Sequence, residues 1–394
     1  MIRAFALCAL LALINASYAD VELTGSAGFD QRYFLQDALY QPQERSYSSA
    51  FLMPEIYTQW NDGADTLVVK PFYRIDEHDD ERTHGDIREF QWSHYADSWE
   101  TRVGIGKVFW GQTESLHLVD IINQTDLVES VDGEVKLGQP MVNISYFSDY
   151  GMFSFYALPY FRERTFQGEN GRLRPPDAIG EAVYESDDEE QNLDFAIRWQ
   201  SSIGEWELGL SAFSGTTREP ELFTTVTQDG EPVIFPFYAQ IDQVGIDVLK
   251  VSGAWLLKLE SIYRSGQSED FAALVTGFEY TKHGILSSNY GLGFLAEYQY
   301  DERDNNFFAV GQNDLMVGLR IIANDIAGTE VLFGLVQDLE ESSTYSGFIE
   351  ASSRLTANWS WKLNGYFFSS EDIEDPFYFL RRDDYVQFSL EYYF

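Results

Sequence analysis

The sequence has 394 residues and a formal net charge of −38, from 64 acidic and 26 basic side chains. That balance excludes a duplex nucleic-acid binder, which must neutralise phosphates with Lys and Arg, and a polybasic attachment to anionic lipid. With 44% hydrophobic and 16% aromatic residues, including 24 Tyr, 30 Phe and 9 Trp, the composition is not that of a disordered chain, and the aromatic excess favours strands over helices.

Residues 1–19 read as a secretory signal. Arg3 stands in a short basic region, Ala4–Ile14 form an apolar run, and Ser17-Tyr18-Ala19 is a small-x-small site, with cleavage expected before Asp20. The run is too short for a membrane anchor, which needs ~20 apolar residues. Cys8, the only cysteine, lies in this leader. No later stretch offers 18 uncharged apolar residues, so a transmembrane helix is not expected.

From residue 20 onward the chain is a succession of alternating segments. Leu193, Phe195, Ile197 and Trp199 oppose Asn192, Asp194, Arg198 and Gln200. Trp255, Leu257 and Leu259 oppose Lys258 and Glu260, and Leu292, Phe294, Ala296 and Tyr298 oppose Glu297 and Gln299. Strand side chains alternate between faces, and charges at mid-strand on one face suit a lumen, while the apolar face suits lipid. Short connections near 61–65, 97–98, 149–151, 201–204, 252–253, 282–287, 325–328 and 357–358 alternate with longer, acidic ones. The long ones lie near 35–46, 77–85, 110–140, 166–190, 217–240, 266–269, 302–312, 340–344 and 371–383. The fold class expected is all-β: a single closed antiparallel transmembrane β-barrel of residues 20–394 with about 18 strands, or 16 or 20 if a pair is miscounted. Seven of the nine tryptophans (Trp60, Trp99, Trp199, Trp206, Trp255, Trp359, Trp361) stand beside short turns, as one interfacial girdle requires. The closing segment, Tyr385–Phe394, puts Val386, Phe388, Leu390, Tyr392 and Phe394 on one face, and it should pair with the first strand, near Val21–Tyr33.

The leader, the alternating strands, the asymmetric connections and the closing Phe388-x-Leu390-x-Tyr392-x-Phe394 together resemble Gram-negative outer-membrane β-barrels of the porin type. The strand number is similar to that of substrate-specific and alginate-export porins. The resemblance implies an outer-membrane location after export, contact with outer-membrane lipid and lipopolysaccharide, and an assembly signal in Phe388, Leu390, Tyr392 and Phe394 for the barrel-assembly machinery. It also implies that the long loop 110–140 folds into the lumen and narrows it; a cap above the barrel or a subunit contact is the alternative. That loop carries Leu116, Leu118, Val119, Ile121 and Ile122 at helix-like spacing and the carboxylates Glu114, Asp120, Asp126 and Glu129.

Parity turns Lys70 and Arg74 (third strand), Arg102 (fifth), Arg162 and Arg164 (seventh) and Arg198 (eighth) inward, in one arc of the wall. Facing carboxylates across water, they would set up a transverse field that selects polar solutes; paired with carboxylates, they would only hydrate the interior. The acidic loop runs, such as 76–81 and 185–190, read as solvated surface. His78, His84 and His94 lack a third ligand at metal spacing, and no nucleophile–base motif or phosphate loop is present. No enzyme activity, metal or cofactor is expected. The function expected is passive diffusion of small hydrophilic solutes. The alternatives are a substrate-specific or polymer-export channel and a closed barrel acting in adhesion.

Overall fold

The structure, a computed structural model, describes residues 20–394 except 41, 228, 304–310 and 374. The leader read over 1–19 lies outside the described residues. Eighteen antiparallel strands form one closed sheet. The first seven are β1 (Asp20–Phe34), β2 (Ser46–Trp60), β3 (Asp65–Asp76), β4 (Gly85–Tyr95), β5 (Trp99–Gly106), β6 (Gln139–Ser148) and β7 (Gly151–Leu158). Two short strands, β8 (Ala178–Ile179) and β9 (Val183–Tyr184), follow in a loop before β10 (Asp194–Ile203) and β11 (Trp206–Thr216) resume the wall. The hairpin β12 (Glu221–Val226) and β13 (Pro232–Tyr238) again leaves it, and β13 pairs in parallel with β8 and β9, tying two outer loops together. The wall then continues through β14 (Gln240–Ser252), β15 (Trp255–Ser265), β16 (Phe271–His283), β17 (Gly291–Asp301) and β18 (Asn313–Ile322). It finishes with β19 (Glu330–Asp338), β20 (Tyr345–Arg354), β21 (Trp359–Ser369), the short helix α1 (Pro376–Leu380) and β22 (Tyr385–Tyr393).

Closure is direct. β1 pairs with β2 from Asp20↔Gln59 to Tyr33↔Ser46, and with β22 from Ser26↔Tyr393 to Phe34↔Tyr385. Pairing the first strand with the last closes the sheet on itself, which removes its two terminal edges from hydrocarbon. Gly25 makes the seam possible: it exchanges backbone hydrogen bonds with Phe394 (3.1 and 3.0 Å), and a Cβ there would stand 2.7 Å from the Met53 carbonyl and 2.8 Å from the Phe394 ring.

The side chains show which solvent is outside. On β1, Val21, Leu23, Phe29 and Tyr33 are exposed, while Ser26, Asp30 and Arg32 are buried. On β15, Trp255, Leu257 and Tyr263 are exposed while Lys258, Glu260 and Arg264 are buried. A soluble sheet would be the other way round; here the apolar face meets lipid and the polar face the lumen. Trp60, Trp99, Trp206, Trp255 and Trp359 are exposed beside the short turns, which forms the one-sided girdle. Trp110 is buried inside the barrel instead, 5.7 Å from the Tyr156 ring with the Arg198 guanidinium 5.1 Å from its own. Among the described residues no helix is long and apolar enough to cross a membrane.

Candidate functional site in the lumen

The wall opens inward once at length. After β5 the chain leaves the sheet at Lys107 and rejoins it at Gln139. No helix forms over 116–122 despite the spacing; turns and irregular backbone carry the segment. What holds it is the inner wall. Val119, Ile121 and Ile122 are buried against inward-facing Met141, Tyr156, Ala196, Phe213, Ile262 and Phe271, an apolar patch spanning β6 to β16.

Polar wall residues pin the rest of the loop. On β15, Glu260 accepts from the Thr113 amide at 2.9 Å, the Thr113 hydroxyl at 2.7 Å, the Val119 amide at 3.2 Å and the Gln112 amide. On β17, Glu297 accepts from the Glu114 amide at 2.8 Å, the Ser115 amide at 2.9 Å and the Ser115 hydroxyl at 2.6 Å. A loop without secondary structure has orphan amides, and buried carboxylates supply their acceptors. On the opposite side Asp126 meets Arg88 at 2.6 Å, Glu129 meets Arg74 at 2.8 Å, and Asp132 accepts from the Tyr366 hydroxyl at 2.8 Å. The loop therefore touches β3, β4, β15, β17 and β21 from within.

The residues expected from the sequence are placed as follows. Lys70 bridges Glu55 (2.7 Å) and Glu89 (3.4 Å). Arg74 is buried between Asp30 and Glu129. Burial opposes the charge of Glu129, but Arg74, His84 and Arg82 outweigh it and hold the carboxyl far below its usual range. Arg102 pairs with Glu100 and is 42% exposed, so it is among the open lumen cations. Arg198 makes a two-pronged pair with Asp247 at 2.7 and 2.9 Å. Glu114 meets Arg320 at 2.8 Å and Lys258 at 3.5 Å. Asp120 accepts from the Trp110 and Gly111 amides at 2.6 and 3.0 Å, and burial raises its pKa. Phe388, Leu390, Tyr392 and Phe394 share the outward face of the seam, with Phe388, Tyr392 and Phe394 exposed.

Two expected positions need correction. Arg162 and Arg164 do not face inward from the seventh strand, because β7 ends at Leu158. They belong to the loop that follows, where Arg162 donates to Asp86 at 3.0 Å and Arg164 donates to Gln124 at 3.2 Å and to the Arg218 carbonyl at 2.9 Å. Pro159 interrupts the strand, since a proline cannot donate to a ladder. The inward arc is also mostly neutralised: Arg74 and Arg198 are paired and buried rather than free.

Alternation hides one site residue. Arg88 shares parity with Phe90 and Trp92 and so reads as lipid-facing, yet it is buried inside. A register shift between Lys70 and Pro71 puts an extra residue on β4 and reverses the facing beyond it. A charged residue on an otherwise apolar face was the available signal. A second group ties outer loops to the wall: Glu219 joins Arg264 of β15 (2.9 Å) and Arg303 (3.1 Å), and Arg218 pairs with Asp194 of β10 at 2.9 Å; parity turns Arg264 and Asp194 inward but cannot place their loop partners. The buried Arg218 Nη2, Gln124 Nε2 and Gln243 Nε2 around it have no hydrogen-bond partner among the described residues.

No protein-family model matches the sequence, and no curated protein matches it. Solved structures do match in shape. A BenF-like porin from Pseudomonas fluorescens Pf-5 is similar at TM-score 0.56 and 8% identity, over 96% of this chain and 98% of that chain. Pseudomonas aeruginosa OccK5 (OpdH) is similar at TM-score 0.53 and 11% identity, over 95% of this chain and 97% of that chain. The fold is that of an outer-membrane porin. At these identities the likeness is one of architecture, so the chemistry of this porin-type barrel rests on its own lumen residues.

Proposed function

We propose that this chain is a porin-like channel of the Gram-negative outer membrane, through which small hydrophilic solutes diffuse passively. The observation that carries the reading is the 107–138 loop folded into the barrel and bound to facing walls, with polar groups around it. Glu134, half exposed, Glu114 and the open Arg102 line what water would occupy, so a passage narrowed by the loop is a field of opposed charges. The apolar outer face and its tryptophan girdle support residence in outer-membrane lipid beside lipopolysaccharide. Phe388, Leu390, Tyr392 and Phe394 on that face would engage the barrel-assembly machinery.

A second reading, a substrate-specific or polymer-export channel for an anionic solute, is supported by the arginines around Glu219 and by the buried Nε2 atoms of Gln124 and Gln243, which have no acceptor among the described residues. Planar-bilayer recording separates the readings. The expected result is a small, steady conductance whose cation preference falls in Glu134→Gln. Saturable block by an anionic oligosaccharide, relieved in Arg218→Gln, would favour the second. Absence of any conductance in folded protein would sink both and leave a closed surface barrel.

A further inference from the structure

The barrel wall is broken on its outer half between β4 and β6. β4 continues to Gly85, but β5 stops at Gly106 and β6 starts at Gln139. The ladder between β4 and β5 begins only at Phe90↔Ile105, so Gly85–Glu89 have β3 on one side and no paired strand on the other. The break is at membrane height: Ile87 is exposed beside it, and Tyr73 and Ile75, farther out along the pairing β3, are exposed apolar side chains too. An unpaired edge is expensive in hydrocarbon.

Irregular chain partly fills the gap. Gly138 comes so close that a Cβ would collide with the Arg88 carbonyl and the Ile105 side chain. Arg162 donates to the Gly138 carbonyl and to Asp86, each at 3.0 Å. A cavity of about 550 Å³ remains, bordered by Ile87, Ile105, Pro140 and Tyr160 and, at its polar end, by Asp86 and Arg162. The cations there share their carboxylates. Asp86 serves both Arg162 and Arg88. Lys107, one residue past β5, interacts electrostatically with Arg88, Glu89, Asp86 and Asp126, yet among the described residues it has no ion pair. Glu89 is engaged by Lys70, and Asp126 by Arg88.

We propose that this break is a side pocket for a single-chain amphiphile with a carboxylate head, received from the outer leaflet. Its alkyl chain lies along Ile87, Ile105, Pro140 and Tyr160, and its head reaches Arg162, with Lys107 behind. The volume suits one small ligand, within the roughly 300–1,000 Å³ of ligand pockets. Ile87 and Tyr160 are exposed at its border, Ile87 on the side that faces lipid, so occupancy from the membrane does not depend on whether the lumen conducts.

The test uses folded full-length protein in phospholipid vesicles and a dodecanoic acid probe carrying a terminal photoreactive diazirine, with labelled peptides mapped by mass spectrometry. Label should concentrate at 85–87, 105, 138–140 and 160 and be competed by plain dodecanoate. Ile105→Trp, a lipid-facing change that fills the cavity, should abolish this labelling. Arg162→Gln should lower labelling by the acid about tenfold, the scale of one charge-assisted contact, and leave labelling by the corresponding dodecanol probe unchanged. Label spread evenly around the apolar band, equal label in Ile105→Trp, or stronger competition by dodecyl phosphate than by dodecanoate would each overturn the proposal.

Discussion

His117 shows how a single residue joins loop to wall. Its Nε2 lies 2.9 Å from Glu134 in the same loop, and its Nδ1 lies 3.9 Å from Glu260 on β15, an ion-pair distance only. Burial opposes protonation, but the two carboxylates outweigh it and raise the pKa from 6.5 to about 10. Because the folded value lies above the unfolded one, the stabilisation is complete below about pH 6.5, persists at neutral pH, and disappears as pH rises through about 10. In planar bilayers the folded barrel should therefore record quietly near neutrality and flicker above about pH 10, and His117→Gln should flicker already at neutral pH. Noise that is independent of pH in both proteins would count against the role. At this scale the sequence was legible only in part. Arg74 and Arg198 could be placed by parity, whereas Arg88 could not, because a bulge reverses the alternation that such reasoning uses.

The 107–138 loop is the element that decides what the barrel can do. Its apolar residues were visible in the sequence, but they dictate burial without naming the surface that buries them. That surface is a lumen patch contributed by strands far away in sequence, and the anchor is Glu260, nearly 150 residues downstream of the amides it accepts. Replacing Glu260 with Gln removes the charge behind those bonds. The loop's docking should weaken by about 2 kcal/mol, roughly a thirtyfold rise in opening. Hydrogen exchange at 112–119 reads this directly, with β14 to β16 as the internal reference. Unchanged protection there would assign the docking to Val119, Ile121 and Ile122 alone.

For the whole molecule, stability comes from closure. Every barrel strand is paired on both sides along most of its length, and the seam between β1 and β22 is held by the same antiparallel ladder as the rest. Phe394 contributes two backbone bonds to Gly25 and an exposed ring beside Tyr392. Its deletion removes little of the ladder, so the finished barrel should unfold at nearly the same urea concentration, while insertion into membranes should slow markedly. Wild-type insertion kinetics in that truncation would remove Phe394 from assembly.

Several properties were determined by the sequence alone. Alternation at period two fixes that each strand has an apolar and a polar face, the turn spacing sets their number, and the tryptophans mark which end is which. These are local properties, expressed within one strand and its turn. The tertiary structure decided which cations are neutralised, where the wall is left open, and that the long loop runs through the barrel. Those outcomes depend on contacts between residues far apart in the chain, and on one bulge and one early strand end, none of which local periodicity encodes.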